Sequence, residues 1–338
     1  ILTDNLSAPI SAAMTPVVQA ASIGAGLDTL LAMRKAVATY AALTALTAST
    51  GLVDNGVYCT YGRTAEEDGG FGFWRYDAGS TATANGGTIL AIDGGGAGRF
   101  YLQSTADIDA RWFGAKGDGV TDDTTAIQAA LTFAGTLGVS GKTGGDVCLS
   151  PGRYLISALL TVPARVTLYS QNSGSTIIKF DAAATAANMV ALGNESEVRN
   201  LQLDGSNKAG TGVLFNGCEN AVASDVYCYD MANQGFATVA GAHDCQIHQC
   251  TAESCGDRGL NIGGGLAAQA PSYRINVSHF TAIDNEDAGI LIGHSVHDCT
   301  INGFVISGTD NASVWLLANC YRNVFKNGTV SAPASSGD

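Results

Sequence analysis

Two stretches of the chain align without a gap. Thr251-Ala252-Glu253-Ser254-Cys255-Gly256-Asp257-Arg258-Gly259 matches Thr281-Ala282-Ile283-Asp284-Asn285-Glu286-Asp287-Ala288-Gly289. Asp257 falls on Asp287, each two residues before a glycine. Equivalent positions elsewhere are Gly210, Asn233 and Asn311, so the column is polar throughout and acidic at two adjacent positions. Stacked as neighbouring strands, the two backbones lie about 5 Å apart. Carboxylates that close raise the pKa of one member. That arrangement serves glycoside hydrolysis, in which one carboxyl protonates the leaving oxygen and the other acts as nucleophile or base. Asp257, Asp287 and Glu286 are therefore the candidate catalytic groups. Asp284, Arg258, Asn261 and Trp315 are candidates for holding a sugar. The Trp315 ring, expected outward, suits sugar stacking or a subunit contact. Each has a plainer reading. Asp and Asn form turns by bonding their own backbone, and Arg258 can pair with Asp257.

Residues 241–300 hold seven acidic residues against two basic ones, Arg258 and Arg274. His243-Asp244-Cys245 and His297-Asp298-Cys299 form a second pair, 54 residues apart. At two repeat lengths these groups sit about 10 Å apart, too far to share one metal. A buried Cys/Tyr/Cys ladder through Tyr273, with polar corner residues, is the expectation. Asp118, Asp122 and Asp123 lack the spacing and terminal Glu of a calcium loop. No nucleophile elbow, phosphate loop or dinucleotide fingerprint appears. No metal and no cofactor are expected.

Positioning these residues requires a repeat. Gly212, Gly235, Gly259 and Gly289 each open an apolar string, at steps of 23, 24 and 30 residues, and Ser313 continues after 24 more. A second series runs through Val198, Val222, Ile247, Ile275 and Ile301. Each period holds short strands and polar turns, with no room for a crossover helix. A stack of coils follows, in which no coil buries its apolar side alone.

Of 338 residues, 43 are glycine. Lys and Arg number 17 against 30 Asp and Glu, a formal net charge of −13. That opposes bulk-charge binding to nucleic acid or anionic membranes. No apolar run is long enough for a membrane helix. The chain opens at Ile1 without a basic leader, so no signal peptide is visible. Nine cysteines, six between 218 and 299, are read as buried free thiols rather than a disulfide framework.

Residues 1–50 are Ala-rich and are expected to form helical pieces for attachment or oligomerisation. Strand-like strings separated by Gly and Asn-Gly steps mark a small β module over 51–107, with Trp74-Arg75-Tyr76 read as core packing before sugar platform. Ile108 to Thr124, containing Gly114-Ala115-Lys116-Gly117-Asp118-Gly119, leads into a helical run with Ile127, Ala130, Leu131 and Ala134 on one face. Asp122 or Asp123 can cap it. Pro151-Gly152-Arg153-Tyr154 follows. This run resembles the start of the pectate-lyase-like right-handed parallel β-helix of bacteriophage tailspikes and related polysaccharide-acting proteins. The resemblance covers 108–180 through motifs and 181–330 through pattern. Gly62-Arg63-Thr64, Trp74 to Asp77 and Asn85 to Thr88 also resemble a module preceding the β-helix in phage tail proteins.

The resemblance implies an all-β fold: a parallel β-helix over 108–330 with its cap at 108–135, preceded by the small β module and the Ala-rich helical N-terminus, with a flexible tail at 331–338. It implies a virion tail protein, assembled in the host cytoplasm, acting at the bacterial surface as a homotrimer. Its partners would be capsular or O-antigen polysaccharide and other tail proteins, with no nucleic acid and no membrane insertion. A hydrolytic depolymerase is the leading expectation. A non-catalytic structural or receptor-binding spike and a polysaccharide lyase are the alternatives.

Overall fold

The computed structural model describes residues 33–104, 107–139, 142–172, 174–263 and 270–331. The helical pieces expected in 1–32 and the tail after Ser331 lie outside them. The described chain divides into two units, one ending before residue 107 apart from Arg111–Gly114, the other comprising 107–110 and the residues after 114.

The first unit is a five-stranded sheet. Met33–Val37 pairs parallel with Val57–Thr60, which continues antiparallel to Gly72–Asp77, then Arg99–Leu102, then Ile89–Ala91. This corrects the helical expectation for Met33–Val37; Tyr40–Thr44 forms a five-residue α-helix and Ala48–Thr50 a short 3-10 turn. The edge of Val57–Thr60 supplies partners for the backbone of 33–37, which a short isolated helix cannot match. Val37, Tyr40, Leu43 and Leu46 pack with Tyr58, Trp74 and Phe100, so the module's core begins well before residue 51. Trp74 is buried, and its indole N–H donates to Thr60 Oγ1 at 3.0 Å.

The second unit is a parallel β-solenoid. Its cap helix spans Thr124–Ala134 and buries Ile127, Ala130, Leu131 and Ala134. Asp118–Asp122, just before the helix, is a strand paired with Gly152–Ile156. Asp122 Oδ1 accepts the Thr124 N–H at 3.0 Å, while Asp123 turns back to accept the Lys116 and Gly117 N–H groups at 2.7 and 3.0 Å. The helix cap and the preceding loop are thus fixed by adjacent aspartates.

Beyond the cap, successive coils add strands to a long sheet and to a separate seven-stranded sheet. The seven-stranded sheet runs from Leu160–Val162 through Val190–Leu192, Thr211–Asn216, Gln234–Val239, Arg258–Ile262 and Ala288–Ile292 to Ala312–Leu316. All pairs between coils are parallel. In the long sheet the inward column is Val198–Ala223–Ile247–Val277–Ile301. It differs from the apolar series read from the sequence by one residue at Val222 and two at Ile275. Ala223 is too small to mark the column, and Ile275 is buried just before its strand.

Corners carry left-handed residues in register. Asn200, Asp225, Gln249, His279, Gly303 and Asn327 form one such column, with φ between 51° and 69°. Asp230, Ser254, Asp284 and Gly308 form another, with φ of 50–65°. Short polar side chains tolerate this conformation best, which accounts for much of the Asp and Asn content. The repeat glycines serve close packing instead. A Cβ at Gly235 would lie 2.5 Å from Ala252 Cβ, and one at Gly289 would lie 2.5 Å from Ile306 Cγ2. Here two sheets meet too closely for any side chain. Gly235→Val should therefore lower stability by about 1–3 kcal/mol, the usual cost of overpacking. A denaturant midpoint equal to the parent's would show that the sheets are not in close contact at this corner.

Candidate functional site

Backbone bonds stack the predicted acidic column in register. Asn233 N donates to Gly210 O, Asp257 N to Asn233 O, Asp287 N to Asp257 O and Asn311 N to Asp287 O, at 2.7–3.2 Å. Arg258 stands between the two carboxylates. Its Nη1 lies 2.8 Å from Asp257 Oδ2 and its Nη2 lies 2.9 Å from Asp287 Oδ2. The bridge extends in both directions. Thr211 Oγ1 donates to Gln234 Oε1 at 3.0 Å, Gln234 Nε2 to Asp257 Oδ2 at 2.6 Å, and Asn311 Nδ2 to Asp287 Oδ1 at 2.9 Å. Burial still raises the Asp257 carboxyl above its ordinary value, against the lowering effects of Arg258 and Gln234. The arrangement forms a polar clamp across five coils.

The other predicted residues stand apart from the clamp. Glu286 is exposed beside it, its N–H bound to Cys255 O. Asp284 occupies a left-handed corner and is exposed. Asn261 is buried on its strand between Ala237 and Leu291, its Oδ1 without a hydrogen-bond partner among the described residues. Trp315 pairs with Leu291 and is 38% exposed.

A second cluster was not anticipated. On the long sheet, Lys179, Asp204, Tyr229 and Glu253 are successive register partners. Two residues earlier on those strands, Gln202, Tyr227 and Thr251 form a parallel column. Lys179 Nζ lies 3.0 Å from Asp204 Oδ2. Tyr227 donates its phenol proton to Glu253 Oε2 at 2.6 Å, and its ring centroid is 5.1 Å from that of Tyr229. Asp230 follows at the corner, and among the described residues nothing hydrogen-bonds its carboxylate. Burial first, then the charges of Asp204 and Glu253, raise its pKa, with Lys179 opposing. Beside this cluster lies a cleft of about 220 Å³ lined by Gln202, Asp225, Tyr227, Gln249 and Thr251 among others. A carboxyl whose proton affinity is raised beside two other carboxylates is an arrangement that acid–base cleavage of a glycosidic bond can use. The spacing Asp204, Tyr229, Glu253, at 25 and 24 residues, was a legible signal; mixed residue types hid it.

The His-Asp-Cys pair also differs from expectation. Tyr273 does not lie in the cysteine column. It bridges to His243 and His297, and His297 bridges to Tyr321. The four rings stack, with centroids 4.7, 5.3 and 4.7 Å apart. The adjacent residues alternate in charge: Arg274 pairs with Asp244 and Arg322 with Asp298, each at 2.5 Å. The sequence alignment slipped because Tyr273 sits two residues before Ile275, the residue that fills the cysteine column. All nine cysteines are free and eight are buried; burial pushes the Cys250 and Cys255 thiols up to about 12. No group of three or more His, Cys, Asp or Glu residues suited to a metal occurs among the described residues.

Fold and surface define a capped right-handed parallel β-helix with an outward acidic and aromatic face. Residues 108–331 match the family described as rhamnogalacturonase A/epimerase, pectate lyase-like, and the chain belongs to it. The pre-neck appendage protein of Bacillus phage phi29 is 28% identical over 207 residues, covering 58% of this chain and 22% of that protein. Mannuronan C5-epimerase AlgE5 of Azotobacter vinelandii is 29% identical over 244 residues, covering 64% and 23%. The chain thus spans less than a quarter of these relatives. Among solved structures, Pantoea stewartii WceF, described as a glycan biofilm modifying enzyme, aligns with a TM-score of 0.59 at 15% identity, over 85% of this chain and 47% of that one. The tailspike protein of Acinetobacter baumannii phage AM24 aligns at 0.55 and 14%, over 91% and 57%. These two share the fold.

Removing Arg258 tests the clamp. Arg258→Ala leaves two stacked carboxylates without their shared cation. Stability at pH 7 should fall by about 1–3 kcal/mol, less than for a fully buried pair. An acid whose folded pKa is raised penalises the fold most above that pKa, and the penalty vanishes below its unfolded value near 3.9. The variant's deficit should therefore shrink as pH falls toward about 4, and Asp287→Asn in the same chain should relieve it. A deficit unchanged between pH 7 and pH 4 would mean that Arg258 acts by packing alone.

Proposed function

We propose that the chain is part of a phage tail or spike protein that binds a bacterial surface polysaccharide and hydrolyses it on the outward face of the long sheet. Asp230 is the proton donor, and Glu253 or Asp204 acts as nucleophile or base. The observation that carries this reading is the Asp230 carboxylate, without a hydrogen-bond partner among the described residues and raised in pKa beside two others, in a cluster whose Tyr227 lines a cleft. Family membership, the phage appendage relative and the tailspike-like folds support the setting at the bacterial surface. In this reading the Asp257–Arg258–Asp287 clamp stiffens the neighbouring corner. A second reading makes Asp257 and Asp287 the catalytic pair with Glu286 beside them, with Arg258, Asp284, Asn261 and Trp315 binding the sugar; the raised Asp257 favours it.

Reducing ends released from the host's polysaccharide separate the two. Asp230→Asn should lower the rate by about 10²–10⁴, the usual contribution of a positioned proton donor, and leave unfolding unchanged. Asp287→Asn should stay within a few-fold of the parent. The reverse pattern would transfer catalysis to the clamp, and unsaturated ends in place of reducing ends would make the reaction a lyase. Activity should be lost as pH rises through the raised Asp230 pKa, because the donor must hold its proton.

The chain should sediment at three chain masses, the closed assembly that the resemblance to phage tailspikes implies. A monomer in solution would remove the trimer from the proposal.

A further inference from the structure

The cleft spans three coils, and Tyr227 joins it to the acidic cluster through its bond to Glu253. Gln202, Tyr227 and Thr251 are register partners on its floor, and Asp225 and Gln249 stand at left-handed corners of two successive coils. Its polar groups are two primary amides, a hydroxyl, a phenol and one carboxylate. An amide offers both donors and an acceptor, and a carboxylate accepts from hydroxyl groups. A sugar hydroxyl is itself donor and acceptor, so every group in the cleft has a complement on a ring of hydroxyls. The Tyr227 ring adds an aromatic surface, its hydroxyl already committed to Glu253 at 2.6 Å. The volume, about 220 Å³, is below the roughly 300–1,000 Å³ of sites for larger ligands, and suits one ring of a longer chain.

The lining contains no Lys or Arg. Cations on the surrounding face are engaged elsewhere: Lys179 with Asp204 at 3.0 Å, and Arg199 with Glu197 at 3.9 Å and over the Tyr169 ring at 4.2 Å. Arg153 stands two coils before Gln202 in the same column, about 10 Å away. A sugar carboxylate placed in the cleft would meet Asp225 with Glu253 beyond it. Like charges about 4 Å apart repel by about 1 kcal/mol in water and about 4 kcal/mol near a protein surface.

We propose that this cleft binds an uncharged, hydroxyl-rich sugar residue and discriminates against uronates. The inference rests on the hydrolytic reading of the same face and names its substrate class. It sets this chain apart from the mannuronan named in one of its relatives.

The test uses the full chain carrying Asp230→Asn, titrated with methyl glucoside, methyl galactoside, methyl mannoside and N-acetylglucosamine, and separately with methyl glucuronoside and methyl galacturonoside, whose carboxylates are free. Binding is read by saturation-transfer NMR. At least one neutral sugar should bind, and each uronate should bind about tenfold or more weakly, a difference of about 1.4 kcal/mol. Gln202→Ala and, independently, exposed Gln249→Ala should each reduce the neutral signal while circular dichroism stays unchanged. A uronate binding as well as any neutral sugar, silence from all four neutral sugars, or a signal indifferent to both glutamines overturns the inference. The two readings fail separately. Cleavage of a polyuronate by the parent chain sinks only the neutral-sugar assignment. Neutral-sugar binding without any polymer cleavage sinks only hydrolysis.

Discussion

Parallel backbone hydrogen bonding between successive coils is the constraint on which this structure depends. Each strand finds its partner one coil away, at a fixed spacing of about 4.8 Å. Side chains at equivalent positions therefore stack, whatever their chemistry, and every column must be compatible with its own repetition. Inside, this produces the continuous apolar ladder Val198–Ala223–Ile247–Val277–Ile301. At the corners it produces columns of left-handed residues. Where the sheets converge it produces glycines with no room for a Cβ.

Outside, the same constraint brings charged groups together at adjacent coils. The fold answers in two ways. In the clamp, Arg258 bridges Asp257 and Asp287, and amides from the coils on either side complete the set. The Asp244–Arg274 and Asp298–Arg322 pairs follow the same principle with alternating signs, beside stacked His and Tyr rings. In the cluster on the long sheet the compensation is incomplete. Lys179 neutralises Asp204 and Tyr227 donates to Glu253, but among the described residues the Asp230 carboxylate has no such partner. A carboxyl without a hydrogen-bond partner beside two others is destabilising for a scaffold, and in the proposed function it serves proton transfer, which distinguishes this face from the clamp.

The cleft adds shape to that chemistry. Its floor belongs to strands fixed by the ladder, while Asp225 and Gln249 come from corners whose backbone is equally fixed. A solenoid surface of this kind positions polar groups with the precision of its backbone, without a mobile loop. In the proposed function the acidic cluster and the amide lining act together, one on the bond to be broken and the other on the ring beside it.

The sequence by itself determined the coil. The glycine series at 212, 235, 259 and 289, the cap motif around Gly114 to Gly119 and the column of Gly210, Asn233, Asp257, Asp287 and Asn311 each depend on local spacing, and local spacing is what a repeat writes into a chain. It also marked the thiols as buried and free. Tertiary structure decided how the columns are satisfied. Whether Asp257 and Asp287 are left open or bridged depends on where one guanidinium points. Whether Met33–Val37 is helix or strand depends on an edge more than twenty residues away. Tyr273 joins the histidines because the coil length between 247 and 277 is 30, longer than its neighbours, and only the paired register shows where the extra residues are absorbed. The Asp204, Asp230 and Glu253 cluster escaped notice for a related reason: its members are unlike in type, and only stacking makes them neighbours.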